Sequence, residues 1–258
     1  MDIKDIYIKE IDSKLANRLI CENHYSATVP KGVKFHLGIF IDETLYGVAQ
    51  FGFGIMPQKT CQWVKGTTKD EYLELNRLWI SDKLGKNAES NAISKALKYV
   101  KEKKPELKWI ISFADGMMGK VGTIYQATNF LYTGYRTDSN GIWLTKEGER
   151  LHNISLWHKY KKLGGNTGRA YLETIYGKPL YCVVGGQFRY FYFYDKKLIK
   201  DLITPILPYP KQDDIRNCLR IKDKYNDTED HWDKFVVLLN QRIEKAKAKE
   251  HKWFDYEK

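Results

Sequence analysis

Residues 73–134 constrain the fold more tightly than any other part of the chain. Residues 73–80 alternate apolar and polar side chains, the period of a strand with one covered face. A loop spans 81–89. Residues 90–103 then bring Ile93, Leu97 and Val100 back at helical spacing, with Lys95, Lys98, Lys101, Lys103 and Lys104 on the polar side. Pro105 stops that helix, because it has no N–H to donate. Residues 109–114 are almost continuously apolar, as in a strand buried on both faces. Strand, helix and strand at this length make a βαβ unit with parallel strands. The expected fold class is therefore α/β, a central mixed twisted sheet flanked by helices.

The flanking segments extend this plan. Residues 6–8 read as a short strand, and Asp12 or Ser13 can cap a helix running to about Cys21. Two β-rich runs in 35–53 flank Asp42-Glu43-Thr44 as a hairpin, and 56–70 reads as loop. Residues 123–129 predict a short helix leading into a strand from Phe130, and 186–195 a further strand. Pro205, Pro208 and Pro210 close the core. The expected division is a catalytic domain over 1–210 and a charged, mostly helical extension over 211–258, with an amphipathic run at 232–243.

The net charge is +11, which favours a polyanionic partner such as DNA, RNA or an anionic cofactor. The four cysteines, Cys21, Cys61, Cys182 and Cys218, are widely spaced, which argues against a zinc ribbon or a disulfide framework and fits a reducing cytoplasm. No apolar run approaches the ~20 residues that span a bilayer. His24 and His36 could join a metal site, such as one for iron, with Tyr25 or Asp115, but no ligand spacing supports it.

Three places carry chemistry. The first is the loop Lys86-Asn87-Ala88-Glu89-Ser90 at a helix start, where free backbone N–H groups and the positive end of the helix dipole favour phosphate. The second is Asp115, an acid at the carboxyl end of a central strand, where open α/β sheets place ligands. It can equally cap the following turn. The third is Tyr125, a candidate general acid or a core tyrosine, four residues before Asn129. The segment 116–122, rich in glycine, can approach a substrate.

These motifs resemble the GNAT acyltransferases. The pattern V-x-P-x-x-[QR]-x-x-G-x-[GA], which holds the pyrophosphate of coenzyme A in that superfamily, matches here in spacing, with Gly85, Ala88 and Ser90 at its distinctive positions. Tyr125 to Phe130 is similar to Y-x-x-x-G-F, with Asn129 in place of glycine; asparagine tolerates the left-handed conformation that glycine would supply.

Five motifs in one order make the resemblance narrower: Asn76-Arg77-Leu78-Trp79-Ile80-Ser81, Lys86 to Ser90, Ser112-Phe113-Ala114-Asp115-Gly116, Gly122-Thr123-Ile124-Tyr125, and Arg189-Tyr190-Phe191-Tyr192-Phe193. Together they resemble the Mom family of phage DNA-modification proteins over about residues 24–210. The resemblance implies conversion of adenine in DNA to N6-carbamoylmethyladenine, protecting phage DNA from restriction in the host cytoplasm. Family positions carry over onto Tyr25, Arg77, Ser90 and Asp115.

The donor expected is glycyl-tRNA or acetyl-coenzyme A. Double-stranded DNA is the expected partner, with Lys161, Lys162, Arg169, Arg189 and Tyr190 as candidate contacts and the Tyr190, Tyr192, Tyr194 face either a base-stacking platform or a packed sheet face. Two other functions fit the same features: an N-acetyltransferase acting on a small molecule or protein, and a non-catalytic nucleic-acid-binding protein on this fold.

Overall fold

The computed structural model describes residues 2–136, 142–145, 147, 149–222, 237 and 240. The chain runs through β1 (Tyr7–Glu10), α1 (Ser13–Asn23), β2 (Val33–Ile41), β3 (Thr44–Gly52), α2 (Pro57–Thr60), β4 (Tyr72–Ile80) and α3 (Ala88–Lys103). It continues with β5 (Trp109–Asp115), α4 (Thr123–Gln126), β6 (Leu131–Arg136), β7 (Ile142–Leu144), β8 (Arg150–Leu151) and α5 (Asn153–Lys159). Last come α6 (Arg169–Tyr176), β9 (Tyr181–Gly185), β10 (Gln187–Phe193), α7 (Asp214–Cys218) and β11 (Leu219–Lys222).

Seven strands form the central sheet in the order β1-β2-β3-β4-β5-β10-β6. All neighbours are antiparallel except β4 and β5, which α3 connects as a parallel crossover. The mixed sheet flanked by helices is thus the architecture expected from the sequence. Asp12 caps α1, its carboxylate accepting from the N–H groups of Lys14 and Leu15. The β2–β3 turn places both Asp42 and Glu43 at positive φ, the geometry whose twist matches a tight hairpin. Asn129 adopts φ +60°, the left-handed conformation that its place in the motif demands.

The two sheet faces bury different material. Leu73, Leu75, Ile110 and Ala114 join Ile93, Leu97 and Val100 of α3 in the main core. Each of the buried Leu, Ile and Val side chains among these contributes on the order of 1.5–3 kcal/mol. On the other face α1 packs Ala16, Leu19 and Ile20 with Phe40, Val48 and Trp79. Farther along, Tyr72, Trp109, Ile111, Phe191 and Phe193 cluster with Cys61 and Val64. Segment 56–70, expected as loop, contains α2 and a 3₁₀ turn, Cys61–Trp63, and the turn contributes Cys61 and Trp63 to this cluster.

A second sheet, β11-β9-β7-β8, lies outside anything the sequence patterns predicted. A satellite core of Leu151, Leu156, Leu172 and Leu180 supports it. Of the 211–258 segment, α7 and β11 pack on the rest of the protein: Ile215, Cys218 and Leu219 enter the main core, and β11 pairs with β9. The amphipathic run at 232–243 lies outside the described residues except for Val237 and Asn240. No helix among the described residues is long and apolar enough to cross a membrane.

Candidate active site

Two irregularities in the sheet create the site. The first is a β-bulge in β4. Leu75 pairs with Phe51 and Arg77 with Gln50, so Asn76 has no partner residue on β3. One extra residue reverses the alternation of side chains. Leu73 and Leu75 face α3, and beyond the bulge Leu78 and Ile80 pack on that side too. Arg77 is thereby turned to the face carrying α1 and the loop that follows it. There it donates to the Thr28 carbonyl (3.3 Å), the Thr28 hydroxyl (3.3 Å) and its neighbour's carbonyl on Asn76 (2.7 Å).

The second irregularity is a fork. β4 and β5 pair only where Tyr72–Glu74 meet Trp109–Ile111, and beyond that each strand continues with no ladder to the other. Ser112 sits in the opening and donates to the Leu75 carbonyl (3.0 Å), which the separation has left without a strand partner on that side. A crevice at the carboxyl ends of separating parallel strands is where open α/β sheets bind ligands.

Four of the five catalytic candidates converge on this fork. Burial pushes the Tyr25 phenol far up, Asp115 and Tyr125 push it further, and Arg77 and Arg150 pull it down. Burial lowers the Arg77 guanidinium, while Tyr25, Glu74 and Asp115 hold it charged. Burial raises the Tyr125 phenol, a hydrogen bond with Ser112 opposes this, Glu74 adds to it and Arg77 counters it. Tyr25, Arg77, Asp115 and Tyr125 therefore share one electrostatic field, joined by Glu74 and Arg150.

Asp115 is buried and doubly held. Its Oδ1 accepts from the Met117 N–H at 3.0 Å, so it does cap the following turn, and its Oδ2 accepts from Arg150 at 2.8 Å. The side chains of Arg150 and Asp115 are 19% and 10% exposed, so little solvent screens the pair. Beneath them the Gly116 N–H donates to the Gly186 carbonyl at 2.5 Å, and a side chain at Gly116 would meet the Cys218 sulfur. Gly116 and Gly122 are thus closely packed: Gly122 lies against the Tyr190 ring, where a Cβ would sit 2.5 Å from a ring carbon.

Sequence patterns missed Arg150 and Glu74. Arg150 arrives on the second sheet, from a two-residue strand whose only signal is the short apolar run Ile142-Trp143-Leu144 before it. Glu74 is a lone acid in an otherwise strand-like segment, with nothing local to single it out.

Ser90 lies in the first turn of α3. It lies with Asn87, Asn91, Ser94 and Lys95 around a depression of about 290 Å³ at the start of α3, and its hydroxyl donates to the Asn87 carbonyl (3.1 Å). Asn87 precedes the helix at φ +67° without a side-chain cap, Lys86 is exposed, Ala88 is buried, and Glu89 occupies the first turn. α4 connects the two places: Tyr125 reaches the fork, and Ala127 lines the depression.

The candidate DNA contacts divide. Lys161 and Lys162 are exposed on a 3₁₀ turn, and Arg169 begins α6 with its guanidinium 5.3 Å above the Trp143 ring. Arg189 is occupied inside the fold: it donates to the Thr133 hydroxyl (2.8 Å), the Thr133 carbonyl (2.8 Å) and the Thr204 hydroxyl (3.1 Å), and stacks over Trp63. Tyr190 is fully buried, donating to the Val121 carbonyl and accepting from Gln126, so its ring is closed to a base. Tyr194 likewise donates to the Leu97 carbonyl of α3 (2.7 Å), making this a packed sheet face. Among the described residues no cluster of His, Cys, Asp or Glu has the makings of a metal site.

The family model and the related phage protein agree on family. The model of the Mom protein family matches residues 5–211. The methylcarbamoylase Mom of Escherichia phage Mu is 34% identical over 211 residues, covering 81% of this chain and 85% of that protein. Among solved structures, a spermidine N-acetyltransferase from Vibrio cholerae in complex with CoA and spermine matches at 12% identity over 75% of this chain and 98% of that one, TM-score 0.42. The aminoglycoside acetyltransferase AAC(6')-Ib with coenzyme A matches at 13% identity over 52% and 88%, TM-score 0.39. At those scores the overlap is partial, and the architecture rests on the sheet order itself. With a family model spanning residues 5–211 and a relative aligned over most of both sequences, the chain belongs to the Mom protein family.

Proposed function

We propose that this chain modifies adenine in DNA to N6-carbamoylmethyladenine, with the β4–β5 fork as the catalytic centre. As a member of the Mom family with a relative named methylcarbamoylase, the chain is a transferase. The observation that supports the finer assignment is the convergence of Tyr25, Arg77, Asp115 and Tyr125 in one buried field at that fork.

The N6 amine is a poor nucleophile because its lone pair is delocalised into the ring. Asp115 accepts its proton as the bond to the donor forms, and Arg77 neutralises the developing oxyanion or a flanking phosphate. Tyr125, kept protonated by burial, donates to the leaving oxygen or sulfur. Tyr25 bonds or stacks on the base. N6 lies inside a duplex, so the adenine is turned out of the stack at a cost of about a few kcal/mol. The donor's phosphate lies at the first turn of α3, against Lys86, Asn87, Ala88, Glu89 and Ser90.

Glycyl-tRNA is the donor that supplies the right atoms. N6 attacks the glycyl ester, the tRNA hydroxyl leaves, and an amide forms. The free glycyl amine then attacks C6 through a five-membered ring. Loss of the amide nitrogen from C6 leaves C6–NH–CH₂–CO–NH₂. Acetyl-coenzyme A delivers two carbons but no nitrogen. Cells expressing the chain are fed isotope-labelled glycine or acetate, and nucleosides from their plasmid DNA are analysed by mass spectrometry. Label from glycine in a modified adenine supports this route; label from acetate alone excludes it. Unmodified adenine contradicts the function itself.

A further inference from the structure

We propose that Ile55 and Met56, at the tip of the β3–α2 loop, form a wedge that enters a DNA duplex and fills the space left by the adenine as it turns into the fork. The inference rests on the adenine-modification function and specifies how the duplex is opened.

Ile55 is 85% exposed, Met56 48% and Val29, on the loop after α1, 42%. Single exposed aliphatic side chains are ordinary, but these three occupy two loops whose neighbouring residues Thr28 and Gly54 touch Arg77 and Glu74 of β4. The Phe53 N–H donates to the Gly32 carbonyl at 3.0 Å, tying the β3–α2 loop to the loop that carries Tyr25, Thr28 and Val29. Gly54 lies against Glu74, where a Cβ would stand 2.4 Å from the carboxylate oxygen. Glu74 is the acid whose charge acts on Tyr125 and Arg77. The tip is therefore fastened beside the catalytic cluster, not remote from it.

The loop is also firm. Phe53 packs on Tyr72 at its near end, Pro57 opens α2 at its far end, and the Met56 carbonyl accepts from the N–H groups of Lys59 and Thr60. A wedge needs that rigidity, because a loose loop would spend binding energy on its own ordering. Around it stand exposed lysines: Lys31, Lys34 and Lys59. Among the described residues none of these three makes a salt bridge, and Lys34 rides over the Phe53 ring. Apolar tips flanked by exposed lysines suit a base step bounded by phosphates, since proteins that unstack DNA insert aliphatic side chains between bases and hold the backbone with cations. A protein partner's apolar patch would not use the lysines.

The test compares the full chain with its Ile55→Ala/Met56→Ala variant, whose exposed substitutions leave the core untouched. Binding is measured by fluorescence anisotropy on an intact duplex and on the same duplex with mispaired adenines, where opening costs less. Modified adenine is measured in plasmid DNA from cells containing equal soluble protein. The expected result is a loss of about tenfold or more in modified adenine, with binding to the mispaired duplex held within about twofold. Unchanged modification, or an equal loss of binding on both duplexes, overturns the wedge alone. Wild-type chain that leaves plasmid adenine unmodified overturns the DNA function and the wedge with it.

Discussion

Asp115 and Arg150 form an ion pair of 2.8 Å across the boundary between the two sheets. β5 supplies the acid and β8 the base, so the second sheet fixes the orientation of a residue at the centre of the first. With Oδ1 held by the Met117 N–H, both carboxylate oxygens have a defined direction.

Replacing Arg150 with alanine leaves a buried carboxylate without its cation. The expected cost is about 1.5–3 kcal/mol of stability, read from the denaturation midpoint. Modified adenine falls by about tenfold or more, because a misplaced base loses the geometry that proton transfer requires. Arg150→Lys keeps the charge and recovers part of both, and guanidinium ion added at low concentration partly restores the alanine variant. An alanine variant with wild-type stability and activity would show that the pair is incidental.

Tyr190 gives a test of packing against base stacking. Tyr190→Phe removes the bonds to Val121 and Gln126 and costs about 1 kcal/mol, while Tyr190→Ala empties the core and costs about 3–5 kcal/mol. DNA affinity of folded Tyr190→Phe stays at the wild-type level. Loss of affinity at unchanged stability would return this residue to the interface.

Alkaline pH should weaken the fold in a defined window. Burial is the first cause that pushes Tyr72 and Tyr190 from 10.0 up to about 12, and Cys218 from 9.0 up to about 12. The native state holds these protons more tightly than the unfolded chain. Their contribution is therefore complete below pH 9 for Cys218 and below pH 10 for the tyrosines, and is lost as pH rises toward about 12. Tyrosinate absorbance should rise together with unfolding. Independent titration of all tyrosines near pH 10 with the fold intact would contradict this.

Lys161 and Lys162 are the sequence-derived DNA contacts that remain exposed. If both meet phosphates, Lys161→Ala/Lys162→Ala lowers the slope of log affinity against log salt by about 1.8. An unchanged slope would assign them to the solvated surface.

The parts legible in the sequence were those with local period or local chemistry. Residues 73–115 announced β4, α3 and β5 because alternation, helical spacing and Pro105 all act within a few residues. Asn129 was readable because few side chains adopt positive φ. Asp115 was readable from its place at a strand end. The bulge at Asn76 was not, since it depends on the register with β3, and the pairing of Asp115 with Arg150 depends on a short-stranded second sheet whose elements carry little period of their own. Tyr190 was ambiguous for the opposite reason: a row of tyrosines has the same pattern whether it faces solvent or, as here, a helix.

The central claim is tested most directly by nucleoside mass spectrometry of plasmid DNA from cells expressing the wild-type chain or Asp115→Asn at equal soluble levels. N6-carbamoylmethyladenine in the wild-type sample and its loss from the Asp115→Asn sample is the predicted result. Unmodified adenine with soluble wild-type protein, or equal modification by both chains, would contradict the assignment of this fork as an adenine-modifying centre.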